Sequence, residues 1–123
     1  MQRVEISDPP ADWQLKVLSR YGFSAGHLNL LRDAEDWKLP SHVHEGLRRE
    51  NGGAWDFDAL RDLIDRGLIG GLEARRVGDA PRQFHVARFP IEGRLALHEV
   101  ERALALAQAV RDEPKWWSRL FRR

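Results

Sequence analysis

Apolar side chains recur at helical spacing near the start of the chain. Two stripes, each ending at a helix-breaking position, predict two helices in series. Their inward positions are Trp13, Val17, Leu18, Tyr21, Leu28 and Leu31. Ser24 is expected to cap the second helix, and Ser41 to cap a short one that runs to Glu50. A brief alternation over residues 2–7 favours a strand ahead of them.

The hydrophobic period changes in the middle of the chain. An amphipathic helix is expected over residues 56–66, with Asp56 as its cap and Gly67 as its stop. The extended runs 70–77 and 82–89 flank a turn cluster, so we expect them to pair as an antiparallel hairpin. The side chains expected in the core here are Phe57, Leu60, Ile64, Leu68, Phe84 and Val86.

A long helix is expected from about Ile91 to Arg111, with Pro114 ending it. Residues 1–113 are therefore predicted to form one domain, and the part before the second helix is an N-terminal helical extension. Residues 114–123 form a cationic aromatic tail. The fold class that follows is mostly α with a small β-hairpin and a long C-terminal helix.

Two local motifs resemble the winged helix-turn-helix superfamily, whose order of elements the prediction also matches. Residues 59–69, ALRDLIDRGLI, are similar to its third helix, which ends in L-x-x-L-x-x-x-G-L-I and leads into the wing. Residues 89–97, FPIEGRLAL, are similar to its L-T-P-x-G-R-x-x-L exit from the wing, with Pro90 in place of the threonine. The resemblance covers about residues 25–110. It implies a winged-helix domain in which the last helix is the usual dimer element.

Composition excludes several function classes. The chain has 123 residues, 42% hydrophobic and 32% charged, so it can build one core but has no apolar run of membrane-spanning length. The absence of cysteine excludes disulfides, thiolate catalysis and cysteine-based zinc sites. No apolar signal segment opens the chain, so a cytoplasmic location is expected. No catalytic motif or phosphate-binding loop is evident, and we expect a non-enzymatic protein without cofactors.

Arginines on the predicted hairpin favour contact with double-stranded DNA. The net charge is only +1, so such contact must come from a local patch. Arginines on a hairpin suit phosphate or minor-groove contacts, and the short helix adds two more. The expected nucleic-acid-binding residues are Arg48, Arg49, Arg75, Arg76, Arg82 and Arg88. The sequence therefore favours a small DNA-binding regulator that contacts phosphates through its wing.

A protein-interaction module, either an adaptor or an inhibitor, is the alternative. The helix at 56–66 carries four aspartates against two arginines, and an acidic face is unfavourable between phosphates. Asp58, Asp62 and Asp65 are thus expected to bind a basic protein partner. A continuous basic strip joining hairpin and short helix would favour DNA, whereas a split strip would favour a protein.

The C-terminal tail and the histidines are the last candidate sites. The apolar residues of the tail are Trp116, Trp117, Leu120 and Phe121. They favour packing on this domain or on a second copy in a homodimer, or binding to another partner, over binding to a membrane. His42 and His44 would not share a face of the expected short helix, so no metal site is expected.

Overall fold

The structure of the protein, a computed structural model that describes residues 3–112, consists of four helices and one small sheet. The helices are α1 (Asp12–Arg20), α2 (Ala25–Glu35), α3 (Phe57–Asp65) and α4 (Ile91–Arg111). The strands are β1 (His42–His44), β2 (Gly70–Glu73) and β3 (Gln83–Arg88). The expected fold class, mostly helical with a small antiparallel β-element, is confirmed at this level.

The helix starts follow from local capping chemistry. The Ser24 hydroxyl accepts the backbone N–H of His27 at 3.4 Å, and the Asp56 carboxylate accepts that of Ala59 at 3.0 Å. Each bond satisfies a donor that the first turn of a helix leaves free. α4 begins directly after Pro90, which has no side-chain cap. α3 and α4 therefore lie where the sequence predicts them.

The sheet has the strand order β1-β3-β2, and both pairs are antiparallel. The pairing of β2 with β3 confirms the expected hairpin. β2 is shorter than the predicted run 70–77, because the chain leaves the sheet after Glu73 and turns through Gly78, whose φ is +62°. Glycine adopts this backbone conformation without steric cost.

The short helix predicted from Ser41 to Glu50 does not form, so that prediction is wrong. Residues 42–44 are instead β1, in which Val43 is fully buried opposite Phe84. Burial of a β-branched side chain against the central strand outweighs a weak local helical pattern. Residues 45–56 form turns and irregular chain.

The strand expected over residues 2–7 is also wrong for the part that the structure describes, residues 3–7. The carbonyl of Val4 accepts a hydrogen bond from the Arg32 guanidinium at 2.9 Å rather than from a neighbouring strand. The Arg32 side chain of α2 therefore holds the backbone of this segment, and Val4 is buried.

The core lies between the helices and the sheet. Phe57 of α3 stacks on Phe84 of β3, with ring centroids 5.8 Å apart. Of the six side chains predicted in this part of the core, Leu60 and Phe84 are fully buried. The other four, Phe57, Ile64, Leu68 and Val86, are partly buried and pack against the core.

Two contacts supplement the apolar packing of α4 against the rest of the fold. Gly93 is buried on the turn between α3 and β2, where a Cβ atom would overlap the Leu68 carbonyl and the Phe89 ring. Farther along α4, Glu101 accepts two hydrogen bonds from Arg32, at 3.0 and 2.6 Å. The helix is thus fixed both by close backbone packing and by a largely buried ion pair.

Candidate nucleic-acid interface

The aspartates of α3 are each engaged by a basic side chain. His27 contacts Asp62 at 2.9 Å, and Arg66 contacts it at 3.3 Å. The His27 ring nitrogen Nδ1 accepts the backbone N–H of Ser24, so the proton lies on Nε2 and is donated to Asp62. This hydrogen bond lowers the pKa of Asp62. The Asp62 carboxylate therefore accepts hydrogen bonds within the fold and also carries a negative charge at the surface.

The two other predicted partner-binding aspartates show the same arrangement. Arg61 contacts Asp65 at 3.1 Å, and Arg82 contacts Asp58 at 2.7 Å. Three arginines and one histidine thus surround the acidic face of α3. Arg61 and Arg66 are already counted in the net negative charge of residues 56–66, so only Arg82 adds a positive charge to this face, and it is shared with Glu73.

Arg82 does not point freely outward, contrary to the role predicted for it. Its guanidinium donates to both Glu73 oxygens, at 2.8 and 3.0 Å, and lies over the Phe84 ring at 5.3 Å. Arg82 holds the pKa of Glu73 below its ordinary value. Because it also reaches Asp58, Arg82 joins α3 to the hairpin and has little remaining capacity for a phosphate.

Arg49, a second predicted DNA contact, is also engaged within the fold. It donates to Asp33 at 2.9 Å, and both side chains are largely buried. Its guanidinium lies 5.8 Å from the ring centre of Trp55. The neighbouring Arg48 is exposed, so of this pair only Arg48 can meet a ligand.

Arg75 and Arg76 lie in the connection between β2 and β3, at the free end of the hairpin. Both are exposed, and neither contacts an acidic side chain within residues 3–112. Arg88, at the other end of β3, is exposed as well and packs beside Gly70. Three of the four predicted hairpin arginines therefore keep their charge at the surface.

The basic residues do not form one continuous strip. Arg82 is neutralised by Glu73 and Asp58, and Glu45 accepts the backbone N–H of Arg82 at 3.4 Å. Glu73 is the last residue of β2, directly before the connection that carries Arg75 and Arg76, and Glu45 belongs to the same irregular segment as Arg48. The charge arrangement is split, which favours a protein partner by the criterion stated above and limits DNA contact to the phosphates within reach of the hairpin end.

The histidines lie differently from what was expected, because residues 42–44 form strand β1 rather than a helix. In a strand, side chains two residues apart share a face, so His42 and His44 lie together, and His85 lies opposite His42. The His42 and His85 rings meet edge to face with centroids 4.7 Å apart. No group of three or more metal-ligating side chains in residues 3–112 is arranged to hold an ion.

Trp37 is an exposed aromatic residue that sequence reasoning did not select. It follows the cap of α2 with φ +61°, and its side chain is 88% exposed. The Lys38 N–H donates to the Asp33 carbonyl at 2.7 Å, and the Trp37 N–H to that of Ala34 at 3.3 Å. This bond pair defines a helix end at which glycine is the usual residue. Because position 37 is Trp rather than Gly, this helix end could not be predicted from the sequence.

Trp37 borders a cavity of about 400 Å³ with an apolar lining. The lining includes Leu39, Val86 and Phe89, and the basic side chains at its edge are Arg88 and Arg94. The cavity lies where the end of α2, the end of β3 and the start of α4 meet. An apolar group that carries a negative charge would suit this lining.

Neither the remaining predicted sites nor the comparisons with known proteins narrow the choice between a DNA-binding and a protein-binding function. Trp116, Trp117, Leu120 and Phe121 lie outside the described residues. Within residues 3–112, no helix combines the length and the hydropathy needed to cross a bilayer. The chain matches no protein-family model, no curated protein and no solved structure, so the proposals below rest on its own residues.

Proposed function

We propose that this chain is a small non-enzymatic DNA-binding regulator that holds phosphates of double-stranded DNA with the end of its hairpin. The observation that carries the proposal is the pair Arg75 and Arg76, exposed at the hairpin end and without an acidic partner in residues 3–112. The pairing of Asp58 with Arg82, a basic side chain from outside α3, removes part of the repulsion that an acidic helix would exert on DNA.

The order of elements supports a winged-helix interpretation of this surface. After α1 the order is α2, β1, α3, the β2–β3 hairpin and the long helix α4, and the central strand of the sheet is the last strand of the hairpin. Irregular chain at residues 45–56 stands where a helix-turn-helix would place another helix. Our proposal is therefore backbone contact through the hairpin rather than base reading by α3.

Loss of the two hairpin arginines is expected to weaken DNA binding regardless of sequence. We expect the double variant Arg75→Ala/Arg76→Ala to bind a random and a GC-rich duplex about tenfold more weakly, because two phosphate contacts are removed. The slope of log affinity against log salt is expected to flatten by about two units. Fluorescence anisotropy of labelled duplexes at about 50 and 200 mM salt measures both quantities.

Arg20→Ala is the matched control, because Arg20 is an exposed arginine on α1 with no ionic partner in residues 3–112. It removes one positive charge away from the hairpin and is expected to leave the salt slope unchanged. Equal affinity and slope for the wild-type chain and the hairpin variant would contradict the proposal. So would the absence of any binding by the wild-type chain at the lower salt concentration.

The protein-interaction alternative is favoured by a different observation, the exposed Trp37 at the edge of the apolar cavity. A non-glycine residue in the left-handed region costs about 1–2 kcal/mol, so the fold would be more stable with glycine here. Exposed side chains held at such a cost are often functional. This alternative places the partner on the Trp37 cavity rather than on the aspartates of α3.

Trp37→Gly is expected to raise the free energy of unfolding by about 1 kcal/mol, because glycine adopts the positive φ without strain. Thermal and urea unfolding, followed by circular dichroism, would measure the gain. Trp37→Ala, which keeps a Cβ in the same backbone conformation, is the control and is expected to gain little. A destabilised Trp37→Gly variant would mean that the indole contributes to folding rather than to a binding surface.

A further inference from the structure

Helix α4 has apolar residues on two opposite sides. One side packs into the core through Leu97, Val100 and Leu104. At about 100° per residue, a second apolar stripe lies on the other side of the helix. Its members and their exposed fractions are Ile91 (62%), Leu95 (60%), Leu106 (67%) and Val110 (66%). A helix whose solvent side repeats the apolar character of its core side needs a second surface to cover it.

The middle of the exposed stripe carries two opposite charges. Glu99 and Arg102 are both exposed and lie between Leu95 and Leu106 in the sequence. Neither forms an ion pair with any side chain of residues 3–112. The outer face of α4, defined here as Ile91, Leu95, Glu99, Arg102, Leu106 and Val110, is thus apolar at both ends and charged in the centre.

This face is complementary to itself in one arrangement. We propose that a second copy of the chain packs antiparallel along the outer face of α4, with the two-fold axis between residues 100 and 101. The axis then brings Glu99 opposite Arg102 of the other copy, twice in each dimer. It brings Leu95 opposite Leu106 and Ile91 opposite Val110. The four exposed apolar residues meet one another, and Glu99 and Arg102, the two charges at the centre, each meet the opposite charge.

Other arrangements of two α4 helices lack this match. A parallel pair in register places Glu99 opposite Glu99 and Arg102 opposite Arg102, which is repulsive. An antiparallel pair shifted by four residues places either Glu99 opposite Leu106 or Arg102 opposite Leu95, so the Glu99–Arg102 pairing is lost. Charge complementarity therefore selects a copy of this chain, in one orientation and register, as the occupant of the face.

The surface beside the outer face has room for the side chains of a second helix. A cavity of about 630 Å³ borders Leu95, Glu99 and Arg102, and Arg3 and Glu35 line its other wall. A pair of helices at an interaxial distance of 8–10 Å interlocks side chains in such depressions. A contact through one helix per copy falls near the lower end of specific interfaces, so we expect a dissociation constant in the micromolar range.

Charge exchange at the centre of the face tests this arrangement in the full 123-residue chain. Wild-type protein is expected to sediment at twice its 14.2 kDa mass at about 100 µM. Glu99→Arg and Arg102→Glu each place like charges opposite one another, and each is expected to weaken dimerisation at least about tenfold. An equimolar mixture of the two variants is expected to form a heterodimer as readily as wild type dimerises. Lys16→Glu, an exposed change on α1, is the control for altered net charge.

Cysteine cross-linking tests the orientation independently, because the chain has no cysteine of its own. Leu95→Cys and Leu106→Cys are eleven residues apart, about 16 Å along the helix. In the proposed dimer, each variant alone is expected to resist oxidation to a disulfide, and a mixture is expected to form a covalent heterodimer. A monomeric wild-type chain at about 100 µM would overturn the proposal. Unaltered dimerisation of both charge variants, or self-cross-linking of Leu95→Cys, would overturn it as well.

Discussion

Replacing Glu101 by alanine is expected to lower the free energy of unfolding by about 3–5 kcal/mol. The Glu101 side chain is 7% exposed and the Arg32 side chain 15%. The substitution leaves the Arg32 guanidinium in a largely dry environment, where its remaining hydrogen bond is to the Val4 carbonyl. Arg3, whose Nε lies 3.3 Å from Glu101, loses the same carboxylate. Removing one member of such a pair costs more than the pair itself contributes, because the other charge stays buried.

Urea unfolding followed by far-ultraviolet circular dichroism measures this loss directly. Glu5→Ala removes an exposed glutamate that forms no ion pair in residues 3–112, and it is expected to change stability by less than about 0.5 kcal/mol. The double variant Arg32→Met/Glu101→Leu removes both charges and is expected to recover most of the stability. A loss below about 1 kcal/mol for Glu101→Ala would show that Arg32 regains solvent or another acceptor.

Gly93→Ala is expected to destabilise the fold by about 3 kcal/mol, against the intrinsic preference of a helix for alanine. A Cβ atom at this position would overlap the Leu68 carbonyl oxygen, and it would press on the Phe89 ring. The ring could rotate, but the carbonyl belongs to the turn between α3 and β2 and has no room to retreat. α4 would have to separate from that turn.

Ala109→Gly, at an exposed position of the same helix, separates packing from helix propensity. It is expected to cost about 1 kcal/mol, the ordinary penalty for glycine inside a helix. If propensity alone governed position 93, Gly93→Ala would stabilise the protein by a similar amount. Differential scanning calorimetry of the two variants and the wild type distinguishes the two results by their sign.

The parts of the fold that could be predicted from the sequence are those with long, regular patterns. α4 has twenty-one residues of helical period after Pro90, and α3 has both a capping aspartate and a stop glycine. β1 has only three residues, too few for an alternation to stand out. It is a strand because β3 offers it hydrogen bonds and a buried place for Val43, and neither is visible locally.

The candidate site shows the same division. Arg75 and Arg76 are predicted as DNA contacts on the extended run 70–77, and the structure shows both exposed, but in the connection that follows Glu73. The engagement of Arg49 by Asp33 and of Arg82 by Asp58 could not be predicted, because these partners lie 16 and 24 residues away in the chain. Net charge per segment, counted along the sequence, therefore overstated the free positive charge of the hairpin.

The close packing of Gly93 against the Leu68 carbonyl also determines where the chain tolerates insertions and deletions. Residues between β2 and β3 can be added or removed at the hairpin end without moving either strand. One residue inserted between Phe89 and Gly93 would instead rotate the rest of α4 by about 100° about its axis. Leu97 and Val100 would leave the core, and polar positions would replace them. Insertions and deletions in this protein should therefore concentrate at the hairpin end and be absent between Phe89 and Gly93.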